Sequence, residues 1–181
     1  MKNLTDQEAC FFEAYSAIKL LFELQRKNFL QSDYYKENFP ASSDLFKYVI
    51  EKVGIINYGT ILLLFYVLLV FPKEALTDKS KKHFMDLDEK IKALCPDCNS
   101  TYACDKPNVQ YVYHIRNAMA HGRIKMINNG LYIEFSDEKM NTNETCSLRF
   151  TLDQLTSVAN LMQEHIVKGL YQDDVSSPNG I

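Results

Sequence analysis

The sequence predicts a mostly α protein with a small antiparallel β element late in the chain. Three observations carry this. Most of the chain spaces its apolar residues at the helical period. Residues 124–150 switch to a period of two around Asn128-Asn129-Gly130, a strong hairpin signal. The helix before that switch stops on Gly122, where a helix end favours glycine.

The elements follow in order. Thr5 and Glu8 form a capping-box pattern, and Phe11, Tyr15, Ile18 and Phe22 mark a helix to about Leu30. Gln31 to Ala41 is polar and aromatic and reads as a connection. Ser43 can cap a long helix from Asp44 to Phe71, stopped by Pro72. Its stretch from Val53 to Phe71 holds no charge and is long enough to span a bilayer. Asn57, Gly59 and Thr60 dilute it, and no Lys/Arg-rich loop accompanies it, so the expectation is a buried core helix and no membrane. A membrane-attached helical protein is the rival from another class.

Ser80 to Leu94 is a shorter amphipathic helix, followed by an irregular stretch to Lys106. Asp105 can cap the next helix, with Pro107 in its first turn, running from Asn108 to His121. After the hairpin, Cys146, Leu148 and Phe150 suggest a third strand. Thr151 and Gln154 then open a last helix to about Leu170. The organisation expected is one domain over residues 1–171, with the β element at about 123–150 and a disordered tail at 172–181.

The chain has 181 residues, 46% of them hydrophobic, and a net charge of −3. It is no polycation, so nucleic-acid binding has to come from a local patch. Its five cysteines are odd in number and scattered, which reads as reduced thiols in a cytoplasmic protein. Met1 to Asp6 has no apolar core of a secretory signal. Cys95-Pro96-Asp97-Cys98 looks like half of a zinc knuckle, with Cys104 as a third ligand and His83 or His114 as a fourth. No second Cys-x-x-Cys exists, so an ordinary loop with free thiols and no metal or cofactor is expected.

The chemistry concentrates in the helix from Asn108 to His121. At about 100° per residue, Tyr111, Val112, Ile115, Ala118 and Met119 share one side, and Gln110, His114, Arg116, Asn117 and His121 share the other. Asn117 and His121 are neighbours at i, i+4, while Arg116 lies about 140° from His121. A solvated face usually carries Glu/Lys pairs, and this one has none. From Lys106 to Ile133 there is no acidic residue, whereas Lys106, Arg116, Arg123 and Lys125 are basic. A histidine can move a proton at the 2'-hydroxyl or the leaving oxygen of RNA. An arginine can stabilise the charged phosphorane with paired donors, and an asparagine can orient either group. One helix supplies one His and one Arg, and a two-fold axis would supply two of each.

Arg116-Asn117-Ala118-Met119-Ala120-His121 resembles the Arg-Asn-x-x-x-His motif of the HEPN superfamily, and the order of helices over roughly residues 5 to 170 is similar too. The resemblance implies a helical bundle, a homodimer and metal-independent cleavage of RNA that leaves a cyclic phosphate. It also implies a toxin or phage-defence setting with an antitoxin or defence partner protein. By motif position Arg116 and His121 are catalytic and Asn117 supports them. His114, Arg123, Lys125 and Tyr113 are the substrate-binding candidates. His114 either touches RNA or a second copy's Arg116, or is satisfied at a dimer interface; Tyr113 stacks on a base or packs. A tyrosine two residues after the His, present in some members, is replaced by Arg123. The alternative function is a catalytically silent RNA-binding or regulatory dimer.

Overall fold

The computed structural model describes residues 6–39, 45–70, 80–94 and 96–167. The fold is mostly α with one small antiparallel sheet, as the periodicities predict. The chain divides into two compact units, Met1–Val67 and Leu68–Ile181.

The first unit is helical. Helix α1 (Asp6–Arg26) buries Phe11 and Ile18, seven residues apart and so on one stripe. It ends four residues short of Leu30, where Asn28 turns left-handed at φ 50° and one 3-10 turn (Phe29–Gln31) follows. Thr5 of the expected capping box lies outside the described residues. The expected connection holds a short helix, α2 (Asp33–Asn38), because the Ser32 hydroxyl accepts the Tyr35 N–H at 3.1 Å and caps it.

The expected long helix is two helices, α3 (Leu45–Val53) and α4 (Tyr58–Phe65), with Ser43, Asp44, Phe71 and Pro72 outside the described residues. The break sits at Gly54, whose φ of +80° only glycine adopts without strain. Asn57 restarts the chain: its amide oxygen accepts the Thr60 N–H at 3.3 Å and its amide nitrogen donates to the Gly54 carbonyl at 2.8 Å. Helix α4 packs on α1, and its Ile61, Leu64 and Phe65 are buried. A π turn (Tyr66–Val70) continues it. Among the described residues no single helix is long and apolar enough to cross a membrane. The pair Lys47–Val53 and Tyr58–Val70 reaches that composition only when joined across a 90° bend.

The second unit combines three helices with a four-stranded sheet. In order it runs α5 (Ser80–Ala93), β1 (Asp97–Ser100), a 3-10 turn (Ala103–Asp105), α6 (Tyr111–Ala120), β2 (Ile124–Ile127), β3 (Tyr132–Glu138), β4 (Thr145–Thr151) and α7 (Leu152–Met162). A π turn (Gln163–Val167) prolongs α7, and the expected helix end at Leu170 and the tail lie outside the described residues. The sheet is antiparallel throughout, in the order β1-β4-β3-β2. Strand β1 lies inside the stretch expected to be irregular. Its sequence Asp-Cys-Asn-Ser lacks any apolar alternation, and pairing with β4 is what makes it a strand.

Alternation on β3 turns Ile133, Phe135 and Asp137 inward, and on β4 it turns Cys146, Leu148 and Phe150 inward. Helix α6 lies on β3 and β4 and buries Ile115 and Ala118. Helix α7 opens on the predicted capping box, Thr151 Oγ1 accepting from Gln154 N at 3.2 Å and Gln154 Oε1 accepting from Thr151 N at 2.9 Å. The inward Asp137 is the one charge on an otherwise apolar strand face, and it points at α6.

Candidate functional site

Helix α6 begins three residues later than its sequence pattern, at Tyr111, with Gln110 as its cap and no side-chain cap of its own. Its free N–H groups are met by two carboxylates from elsewhere. Asp105 Oδ1 accepts from Gln110 N at 3.2 Å, and Asp88 on α5 accepts from Val112 N at 2.8 Å. Burial pushes the Asp88 carboxyl up to about 6, against the pull of that N–H and of nearby His114.

The helix ends on the motif. His121 is the residue that leaves helical geometry, at φ −102°, and Gly122 follows at φ +64°. His121 N donates back to the Asn117 carbonyl at 3.0 Å, while its imidazole is exposed and has no hydrogen-bond partner among the described residues.

Behind this end lies a buried polar chain. His114 is 1% exposed. Its Nδ1 is 2.8 Å from Asp137 Oδ2 and its Nε2 is 2.9 Å from Asp105 Oδ2. Two carboxylates only accept, so the ring that satisfies both carries hydrogen on both nitrogens. Asp137 Oδ2 also accepts from Tyr102 Oη at 3.0 Å and from Asn117 Nδ2 at 3.1 Å. Burial first, and then that carboxylate, hold the Tyr102 phenol above its usual range, so it stays a donor. The Ser100 hydroxyl donates to Asp105 Oδ2.

The chain runs from there to the motif arginine. With Nδ2 tied to Asp137, the Asn117 amide can face only its oxygen to Arg116, and Nη2 of Arg116 donates to it at 2.6 Å. The guanidinium lies 5.0 Å from the centroid of the Tyr113 ring. Among the described residues it has no carboxylate partner. Arg116 is thus a part-exposed cation fixed by an amide and an aromatic face, with donors left for an anion.

The sequence-predicted residues therefore separate. Arg116, Asn117 and Tyr113 are joined by contacts. His121 stands at the same helix end, and its ring makes no hydrogen bond to Arg116. His114, expected on the polar arc, is buried: Asp105 and Asp137 give it partners inside, which helical phase alone does not reveal. Arg123 is turned to Glu138, with Nη1 3.3 Å from its carbonyl and Nη2 3.7 Å from its carboxylate, an exposed pair of little strength. Lys125 is exposed on β2, opposite Glu134, whose carboxylate is held by Arg149 at 2.7 Å. Sequence reasoning missed Asp137, Tyr102 and Asp88. Of these only Asp137 left a signal, as a charge in phase with Ile133 and Phe135.

The family model described as HEPN pEK499 p136 matches residues 1–170. Neither the curated proteins nor the solved structures give a match.

Proposed function

The chain belongs to the HEPN family described as pEK499 p136, and on that premise we propose that it is a metal-independent endoribonuclease working as a homodimer, one HEPN-type domain over residues 1–171. A toxin or phage-defence role in the cytoplasm, held in check by an antitoxin or defence partner, is part of the same reading. The observation that carries it is the anchoring of Arg116: a buried aspartate fixes Asn117, Asn117 fixes the guanidinium, and no acid among the described residues neutralises it.

In this mechanism Arg116 binds the scissile phosphate and stabilises its extra negative charge as the 2'-oxygen attacks. His121 takes the 2'-hydroxyl proton or delivers one to the leaving 5'-oxygen. The products are a 2',3'-cyclic phosphate and a free 5'-hydroxyl. Asn117 positions Arg116, and His114 acts from behind by holding Asp137. Tyr113, Arg123 and Lys125 flank the phosphate path. Arg123 leaves its weak pair with Glu138 when RNA arrives.

The test is cleavage of RNA pools by purified protein in EDTA, beside His121→Ala and Arg116→Ala. Each variant should fold and lose about 10²–10⁴-fold in rate. Cyclic-phosphate ends with both losses support the reading. Absence of cutting by the wild type, with RNA still bound, would establish the silent RNA-binding dimer instead.

A further inference from the structure

Behind the motif lies a second constellation whose atoms take no part in the bond-making steps of RNA cleavage. The donor atoms of Asp105, His114 and Cys146, all buried, lie within 4.8 Å of one another. Cys98 stands beside this cluster as a candidate fourth ligand: it sits on β1 diagonally across from Cys146 on β4, on the same sheet face. We propose that Cys98, Asp105, His114 and Cys146 form a structural zinc site that ties β1, the 3-10 turn, α6 and β4 together.

The donor set suits zinc. Two thiolates, one imidazole and one carboxylate make a closed four-coordinate site for a borderline-soft divalent ion. Ligands about 2.0–2.3 Å from a tetrahedral zinc stand about 3.3–3.8 Å apart. The donors of Asp105, His114 and Cys146, within 4.8 Å of one another, have to close by no more than about 1.5 Å, and Nε2 to Asp105 Oδ2, at 2.9 Å, has to open by roughly half an ångström. The ion takes the place of one hydrogen, the one between His114 Nε2 and Asp105. Binding releases that proton and the two thiol protons.

The outer contacts are already those of a metal site. The other nitrogen of His114 donates to Asp137, the carboxylate–histidine pairing that fixes the ring of a zinc ligand. The Ser100 hydroxyl and Gln110 N–H hold Asp105. A divalent ion also offsets the two buried carboxylates on either side of the His114 ring, Asp105 and Asp137. The site differs from the zinc knuckle that the Cys95–Cys104 spacing suggests. Cys104 is exposed and outside the cluster, and the strand residue Cys146 takes part instead.

The test uses the full chain, with metal content by plasma mass spectrometry and cobalt(II) as a spectroscopic probe. About one zinc per chain is expected, and the cobalt form should show tetrahedral d–d bands with sulfur-to-cobalt charge transfer. Cys98→Ser, at a half-buried position, should halve the charge-transfer intensity, and Cys146→Ser should do the same where it folds. Cys104→Ser should leave the spectrum unchanged. A chain that takes up neither zinc nor cobalt overturns the proposal. So does a charge-transfer intensity that Cys98→Ser leaves undiminished, or one that Cys104→Ser removes. These readouts are independent of RNA cleavage.

Discussion

At the residue scale, three acids around α6, Asp88, Asp105 and Asp137, meet donors rather than water. Asp137 collects three donors on one oxygen and, through Asn117, decides where Arg116 points. Asp88 does a plainer task, closing the open N-terminus of α6 from a neighbouring helix. Its cost is desolvation, which lifts its pKa from 3.8 to about 6. Between pH 4 and 6 the unfolded chain gives up this proton while the folded chain keeps it. The contribution is therefore full below about pH 4, falls as pH rises through 6, and stays lost above that. Asp88→Asn keeps an acceptor for Val112 N–H and removes the burden. Allowing for solvent screening, it should stabilise the protein by about 1–2 kcal/mol at pH 7.5 and by little at pH 4.5. Melting curves at the two pH values check this, with a gap of a few degrees opening only at the higher one. An equal change at both would mean that Asp88 titrates normally.

At the scale of elements, α3 and α4 carry the chief lesson about what the sequence makes readable. An uncharged run from Val53 to Phe71 looks like one helix because apolar residues on either side of the break keep a helical spacing. Gly54 and Asn57 mark the break, yet each is tolerated inside a helix often enough for periodicity to outvote it. The tertiary fold decides, placing Gly54 at φ +80°. Gly54→Ala therefore forces a left-handed alanine and should cost about 1–2 kcal/mol. The space around the site does not oppose it, since an added Cβ would meet only Gln25 Oε1, at 3.8 Å. Urea denaturation should show the loss as a lower midpoint at unchanged slope. A neutral result would mean that the two helices can join. By contrast, the Asn-Asn-Gly hairpin and the Thr151 capping box were legible because their signals are local, closed within a few residues. Strand β1 and the burial of His114 were not, because their partners lie outside the local pattern: β4 for the strand, and Asp105 and Asp137, nine and 23 residues away, for the ring.

At the scale of the whole molecule, charge and symmetry bear on the proposed reaction. A chain of net charge −3 has no general attraction for RNA, so binding depends on the few cations near α6. Within one chain Arg116 lies about 140° from His121 around an ideal helix, at the flank of the same polar arc, which favours a reaction centre made from the Arg116 of one copy and the His121 of the other. Mixing separates that arrangement from one confined to a single chain. Arg116→Ala and His121→Ala are each expected to be inactive as homodimers. In a heterodimer of the two, one arginine–histidine pair spanning the copies is intact and the other is doubly broken. Random exchange makes half the dimers heterodimers, each with half its pairs working, so the equimolar mixture should recover about a quarter of wild-type activity. Recovery should follow subunit exchange in time, monitored by fluorescence energy transfer between labelled copies. If exchange completes and no activity returns, the pair acts within one chain, and the second copy supplies something other than the missing half of the site.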